Sequence, residues 1–128
     1  TSVFILEELD DIKPLVEKEI NVIPITDQDI TAMSQIDWPK PFSFPDRTIL
    51  YLAQVHQMMI LSGERRMMAW CMENALESHG LLYILDAMIS NKVYKPKTVC
   101  KKLRIQMANN MWLPTDLCEK MIKRWDEY

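Results

Sequence analysis

Glycine is all but missing: Gly63 and Gly80 are the only two in 128 residues. Tight hairpins need residues that tolerate positive φ, and glycine is the usual supplier. Its scarcity argues against a β fold and excludes a glycine-rich phosphate loop. Histidine is also scarce, at His56 and His79, and the three cysteines, Cys71, Cys100 and Cys118, stand far apart. There is no close pair of the C-x-x-C or H-x-x-x-H kind on which a zinc site could be built. Long apolar runs are lacking as well. The longest uncharged stretch, Thr48 to Gly63, is broken by Gln54, His56 and Gln57, so no bilayer-spanning helix is expected. The start, Thr1 to Leu6, runs into Glu7 and Glu8 without the basic residues and cleavage site of a secretory leader. An odd number of scattered cysteines in apolar settings reads as reduced, buried thiols. These absences point to an intracellular protein, of cytoplasm or nucleus.

What is present points to helices. Ten methionines accompany the two glycines, and methionine is both a good helix former and an adaptable core filler. The length suits one domain with one real core. The expected fold is therefore a compact, single-domain, all-α bundle of six to seven helices over 1–128. Charge is unevenly spread. Residues 1–45 carry nine acids against three lysines, while 46–128 carry nine acids against twelve lysines and arginines. The first part reads as an acidic segment of short helices and a strap, the second as the main helical body.

A first helix is expected from about Asp11 to Asn21, with Ile12, Leu15, Val16 and Ile20 on one face. Val22 to Ile25 reads as extended, since Pro24 disfavours helix before it. Thr26 is a candidate N-cap, with Asp27 and Asp29 in the first turn of a short helix ending near Gln35. Pro39, Pro41 and Pro45 then forbid a continuous helix over 37–46, and Trp38, Phe42 and Phe44 make that segment an aromatic strap lying across the body. Asp46 should cap a helix over 47–61, with Ile49, Leu52, Ala53, His56 and Ile60 inward. Ser62-Gly63 should break it. The next helix is expected over 64–78 with Met68, Cys71, Met72, Ala75 and Leu76 inward, stopped by Gly80 in the left-handed conformation. Further helices are expected over 81–90, burying Leu81, Leu82, Leu85, Met88 and Ile89, and over 97–109 after Pro96. A last one begins at Pro114 and Thr115, with Leu117, Cys118, Met121, Ile122 and Trp125 as its stripe.

Three constellations could carry function. Met58, Met59, Met67, Met68 and Met72 gather around one helix–turn–helix. Adjacent methionines point about 100° apart on a helix, so both pairs cannot enter one seam. Exposed methionine is the material of adaptable protein-binding grooves. Trp38, Phe42 and Phe44 of the strap, with Met58, Met59 and Met67, are the candidate partner-binding residues. Lys92, Lys95, Lys97, Lys101, Lys102 and Arg104 form a run without an acid, able to meet phosphates or an acidic partner, with Tyr94 and Trp112 beside it for stacking. A solvated lysine face is the plainer reading. A cysteine with His56 or His79 could in principle make a nucleophile or metal site, but each cysteine sits on a core-facing stripe where a thiol is inert. Glu7/Glu8 and Asp10/Asp11 are neighbours that do not face each other on a helix.

The stretch Thr98 to Arg104, with Leu117, Cys118, Met121, Ile122 and Trp125, faintly resembles the end of the helical N-terminal domain of transcription elongation factor TFIIS and its relatives. Those domains carry a glycine-bearing turn there and this chain does not. Ala75 to Met88 is as faintly similar to an armadillo-type helix pair. Both likenesses imply helical protein-binding scaffolds, and neither assigns a family. The expected function is non-catalytic: an adaptor, assembly or regulatory subunit that binds another protein, or a second copy of itself, through an apolar Met/aromatic surface. No catalytic residue, cofactor or metal is assigned. A nucleic-acid-associated protein using 92–104, and a small enzyme or metalloprotein with a buried Cys/His cluster, are the alternatives.

Overall fold

The computed structural model describes residues 2, 14, 18–109 and 113–128. Among these the fold is all-α, with six helices and two strands of two residues each. The helices are α1 (Asp27–Ser34), α2 (Phe44–His56), α3 (Arg65–Glu73), α4 (Leu81–Ser90), α5 (Pro96–Asn109) and α6 (Thr115–Asp126); the strands are β1 (Ile60–Leu61) and β2 (Ser78–His79). The chain divides into two compact units, Thr1–Ser78 and His79–Tyr128. The helix expected over 11–21 lies largely outside the described residues, of which Pro14, Lys18 and Glu19 are helical. The patch Val3 to Leu6 and Trp112 also lie outside them.

The first unit is entered through an extended segment in which Ile23 bridges to Ser2 in parallel. Thr26 then caps α1 as expected. Its hydroxyl accepts from the Asp29 N–H, and the Asp29 carboxylate accepts from the Thr26 N–H at 2.8 Å, a reciprocal capping box. Asp29 also accepts from the Tyr51 hydroxyl at 3.1 Å, which fastens α1 to α2. The strap is shorter than expected. Ser43, not Asp46, caps α2; Asp46 closes the second capping box, and Pro45 sits in the first turn, where its missing N–H costs nothing.

Gly63 lies between α2 and α3 as expected, but α2 ends well before it, and the left-handed stop assigned to Gly80 is corrected. The described residues contain no positive-φ glycine; the left-handed positions belong to Gln57, Ala75 and Lys92. Each ends a helix. Met58 N–H donates to the Ala53 carbonyl at 2.9 Å, Leu76 to Cys71 at 2.8 Å and Val93 to Met88 at 2.9 Å. Those six-to-one bonds are Schellman closures of α2, α3 and α4. So α2 stops at His56 rather than near Leu61, and α3 stops at Glu73 rather than Ser78. The residues released pair as β1 and β2, with Ile60 N–H donating to the Glu77 carbonyl at 2.9 Å. Gly80, expected to stop a helix, has φ −109° and starts α4 as its N-cap.

Phe42, Leu50, Ala53, Ile60, Met67, Trp70 and Cys71 form the core of the first unit. The α3 stripe is therefore Met67, Trp70 and Cys71, rotated by one residue, or about 100°, from the expected one. Met72, expected inward, is 82% exposed. Ala75 and His56 are exposed too, not inward. Thr48 is fully buried on α2; its hydroxyl bonds the Pro45 carbonyl at 2.6 Å and the Ser2 hydroxyl at 2.8 Å.

The second unit packs α4, α5 and α6 around Ile89, Val99, Cys100, Leu103, Cys118, Ile122 and Trp125. The range 81–90 for α4, Pro96 in the first turn of α5 and the start of α6 at Thr115 all match the sequence expectation. Leu81 and Leu117, expected inward, are exposed. Asp86 on α4 accepts from the Trp125 indole N–H at 2.8 Å and pairs with Arg124, tying α4 to α6. Within the described residues no helix is long and apolar enough to cross a membrane.

Candidate functional site

The six residues assigned to partner binding are placed differently from one another. Phe42 and Met67 are 3% and 6% exposed, deep in the first core. Their assignment to an outward contact surface is corrected: Phe42 enters the core just before the Ser43 cap, and Met67 leads the rotated α3 stripe. Trp38 is half-buried and fastened in place. Its indole N–H donates to the Met33 carbonyl at 2.9 Å, and its ring stacks on Trp70 at 5.1 Å with 27° between planes. Phe44 is exposed in the first turn of α2. Trp38 and Phe44 border a hollow of about 390 Å³ shared with Ile30, Ile36, Asp37 and Arg47.

Met58 and Met59 are 39% and 37% exposed, immediately after the left-handed residue that ends α2. The turn at Gln57 takes them off the helix before they could join its buried stripe. They border a groove of about 550 Å³ with Leu76, where the α2 and α3 ends meet. Its polar lining is Gln54, Gln57 and Asn74, with Glu77 as its one charged side chain among the described residues. Both left-handed residues of this unit, Gln57 and Ala75, line the same groove. The volume is that of a cleft able to hold a ligand or a few side chains, about 300–1,000 Å³. Sequence reasoning found Met58 and Met59 but missed the 74–77 wall, because it ran α3 through those residues. Asn74 was the available signal, since asparagine favours helix ends.

The basic residues all face solvent. Lys92, Lys95, Lys97, Lys101, Lys102 and Arg104 are exposed. Lys92 is not part of α5; it closes α4 with φ 57°. Lys97, Lys101 and Arg104 share one side of α5 by i, i+4, i+7 spacing, and Lys102 lies on another. Arg104 pairs with Asp126 at 3.6 Å. The α5–α6 groove beside it, about 730 Å³, is lined by Asp116, Glu119 and Asp126, by Lys120, Lys123 and Arg104, and by Met107 and Ile122. Its walls carry both signs, unlike a phosphate-tracking channel.

The thiols are poor nucleophiles. Burial pushes the Cys71, Cys100 and Cys118 thiols up, and Asp126 pushes Cys100 up further. All three are free and buried. His79 stacks on Tyr83 at 4.1 Å. Among the described residues no three His, Cys, Asp or Glu side chains gather as a metal would need. No protein-family model matches the chain, and comparison with curated proteins and with solved structures finds no match.

Proposed function

We propose that this chain is a non-catalytic protein-binding module, an adaptor, assembly or regulatory subunit, and that the groove at the ends of α2 and α3 is its docking surface. The observation that carries this reading is the pair Met58–Met59, exposed side by side on a groove that they line with Gln54, Gln57 and residues 74–77. Soft, unbranched thioethers adapt to a partner's shape, and the amides can hydrogen-bond its backbone. Two neighbouring features support it. Met72 adds apolar surface at the end of α3, and the buried, high-pKa thiols do not favour nucleophilic chemistry.

The test uses the whole chain as bait in an extract of its source organism, beside the variant Met58→Ser/Met59→Ser. At least one protein captured by the natural chain is expected to be lost from the variant, with circular dichroism unchanged. Retention of every captured protein by a folded variant removes the groove as the docking surface.

A further inference from the structure

The groove has a sign as well as a shape. Two helices end on it, α2 at Gln57 and α3 at Asn74. The Schellman bonds occupy the Ala53 and Cys71 carbonyls, but a helix C-terminus still carries about half a negative charge from its aligned peptide dipoles. Two such ends converge here, and among the described residues the one charged side chain of the lining is Glu77 and no Lys or Arg lines it. Among the described residues the surrounding unit holds eight Asp and Glu against five Lys and Arg, a net of −3, whereas 79–128 holds five against nine, a net of +4. The unit's described charge therefore has the same sign as Glu77 and the two helix ends at this groove. Apolar Met58, Met59 and Leu76 in one lining with Glu77 and two helix ends select a ligand with both apolar and cationic character.

We infer that the occupant is a cationic amphipathic segment of a partner protein, its aliphatic side chains on Met58 and Met59 and its Lys or Arg side chains on the helix ends and Glu77. This rests on the docking reading above and adds the chemistry of the partner. Apolar anchors would supply the affinity, and the basic side chains would set orientation and speed of encounter. The amide oxygens of Gln54, Gln57 and Asn74 in the same lining can accept from a guanidinium or ammonium.

The experiment is fluorescence anisotropy of two labelled peptides with the full chain at low ionic strength. One is an amphipathic leucine–lysine peptide; the other is a leucine–glutamate peptide of the same length and spacing. The leucine–lysine peptide is expected to bind, to weaken as salt rises, and to lose about tenfold or more in affinity with Glu77→Lys and with Met58→Ser/Met59→Ser. Asp37→Lys, the same charge change elsewhere in the acidic unit, is expected to cost less than about threefold. Equal binding of the leucine–glutamate peptide overturns the inference, as does failure of both peptides to bind. So does equal sensitivity to Asp37→Lys and Glu77→Lys, which would mean diffuse attraction to an acidic surface. The docking surface itself fails by a different sign: the captured proteins would then ignore Met58→Ser/Met59→Ser.

Discussion

At the scale of single residues, three side chains stand where glycine would be expected. Gln57, Ala75 and Lys92 hold the left-handed conformation at φ 52°, 55° and 57°. A residue with a Cβ is disfavoured there by roughly 1–2 kcal/mol, while glycine loses more entropy on folding, by roughly 0.4–1 kcal/mol. The difference makes Ala75→Gly stabilising by about 0.5–1 kcal/mol, read as a raised urea midpoint. Gly63 presents the converse. It lacks positive φ, and a Cβ placed there meets nothing within 4 Å. Gly63→Ala should also stabilise, by about 0.4–1 kcal/mol, through the unfolded chain. A loss of stability in Ala75→Gly contradicts the left-handed closure, and one in Gly63→Ala contradicts the open site around Gly63. The same scale covers the thiols. Cys71, Cys100 and Cys118 should react with a disulfide reagent at pH 8 only on unfolding, because burial both blocks access and raises their pKa values. Rapid labelling of the native chain would show an accessible thiolate.

At the scale of elements, closure residues decide where helices end, and this is where the sequence was hardest to read. Thr26 with Asp29, Pro96, and the run from Leu81 to Ser90 carry local signals that need no tertiary information, and each delivered its helix. The ends of α2 and α3 carry no glycine signal, because their left-handed stops are glutamine and alanine. Strands of two residues have no periodicity to read. The stripe of α3 was ambiguous because Met67 and Met68 are chemically identical neighbours, and only packing against Trp70 and Ile60 selects the first. Of the docking groove, Met58 and Met59 were legible and the 74–77 wall was not. Asp86 gives the second unit a testable tie. Hydrogen bonds from Arg124, then from the Trp125 indole, hold its carboxyl below the ordinary carboxylate range. A depressed folded pKa contributes stability above the unfolded value of about 3.9. That contribution disappears as pH falls through the folded pKa. Asp86→Asn should therefore be less stable than the natural chain at pH 7 and approach it in strong acid. A difference independent of pH would assign the effect to packing instead.

At the scale of the molecule, the asymmetry of charge and the placement of soft apolar residues coincide. The acidic unit carries the methionine groove, and the basic unit presents lysines beside a groove of mixed sign. Solvated lysines are ordinary and need no ligand. A pair of half-exposed methionines at the meeting of two helix ends is the less ordinary arrangement, and the functional proposal stands on it. Burying Met58 and Met59 under a partner should contribute about 1.5 kcal/mol each at partial exposure. The affinity of a captured partner for the natural chain and for Met58→Ser/Met59→Ser, measured by calorimetry on folded proteins, puts this to the test. A weakening of about 100-fold is the predicted result; affinities within about twofold of each other would contradict a docking surface at the ends of α2 and α3.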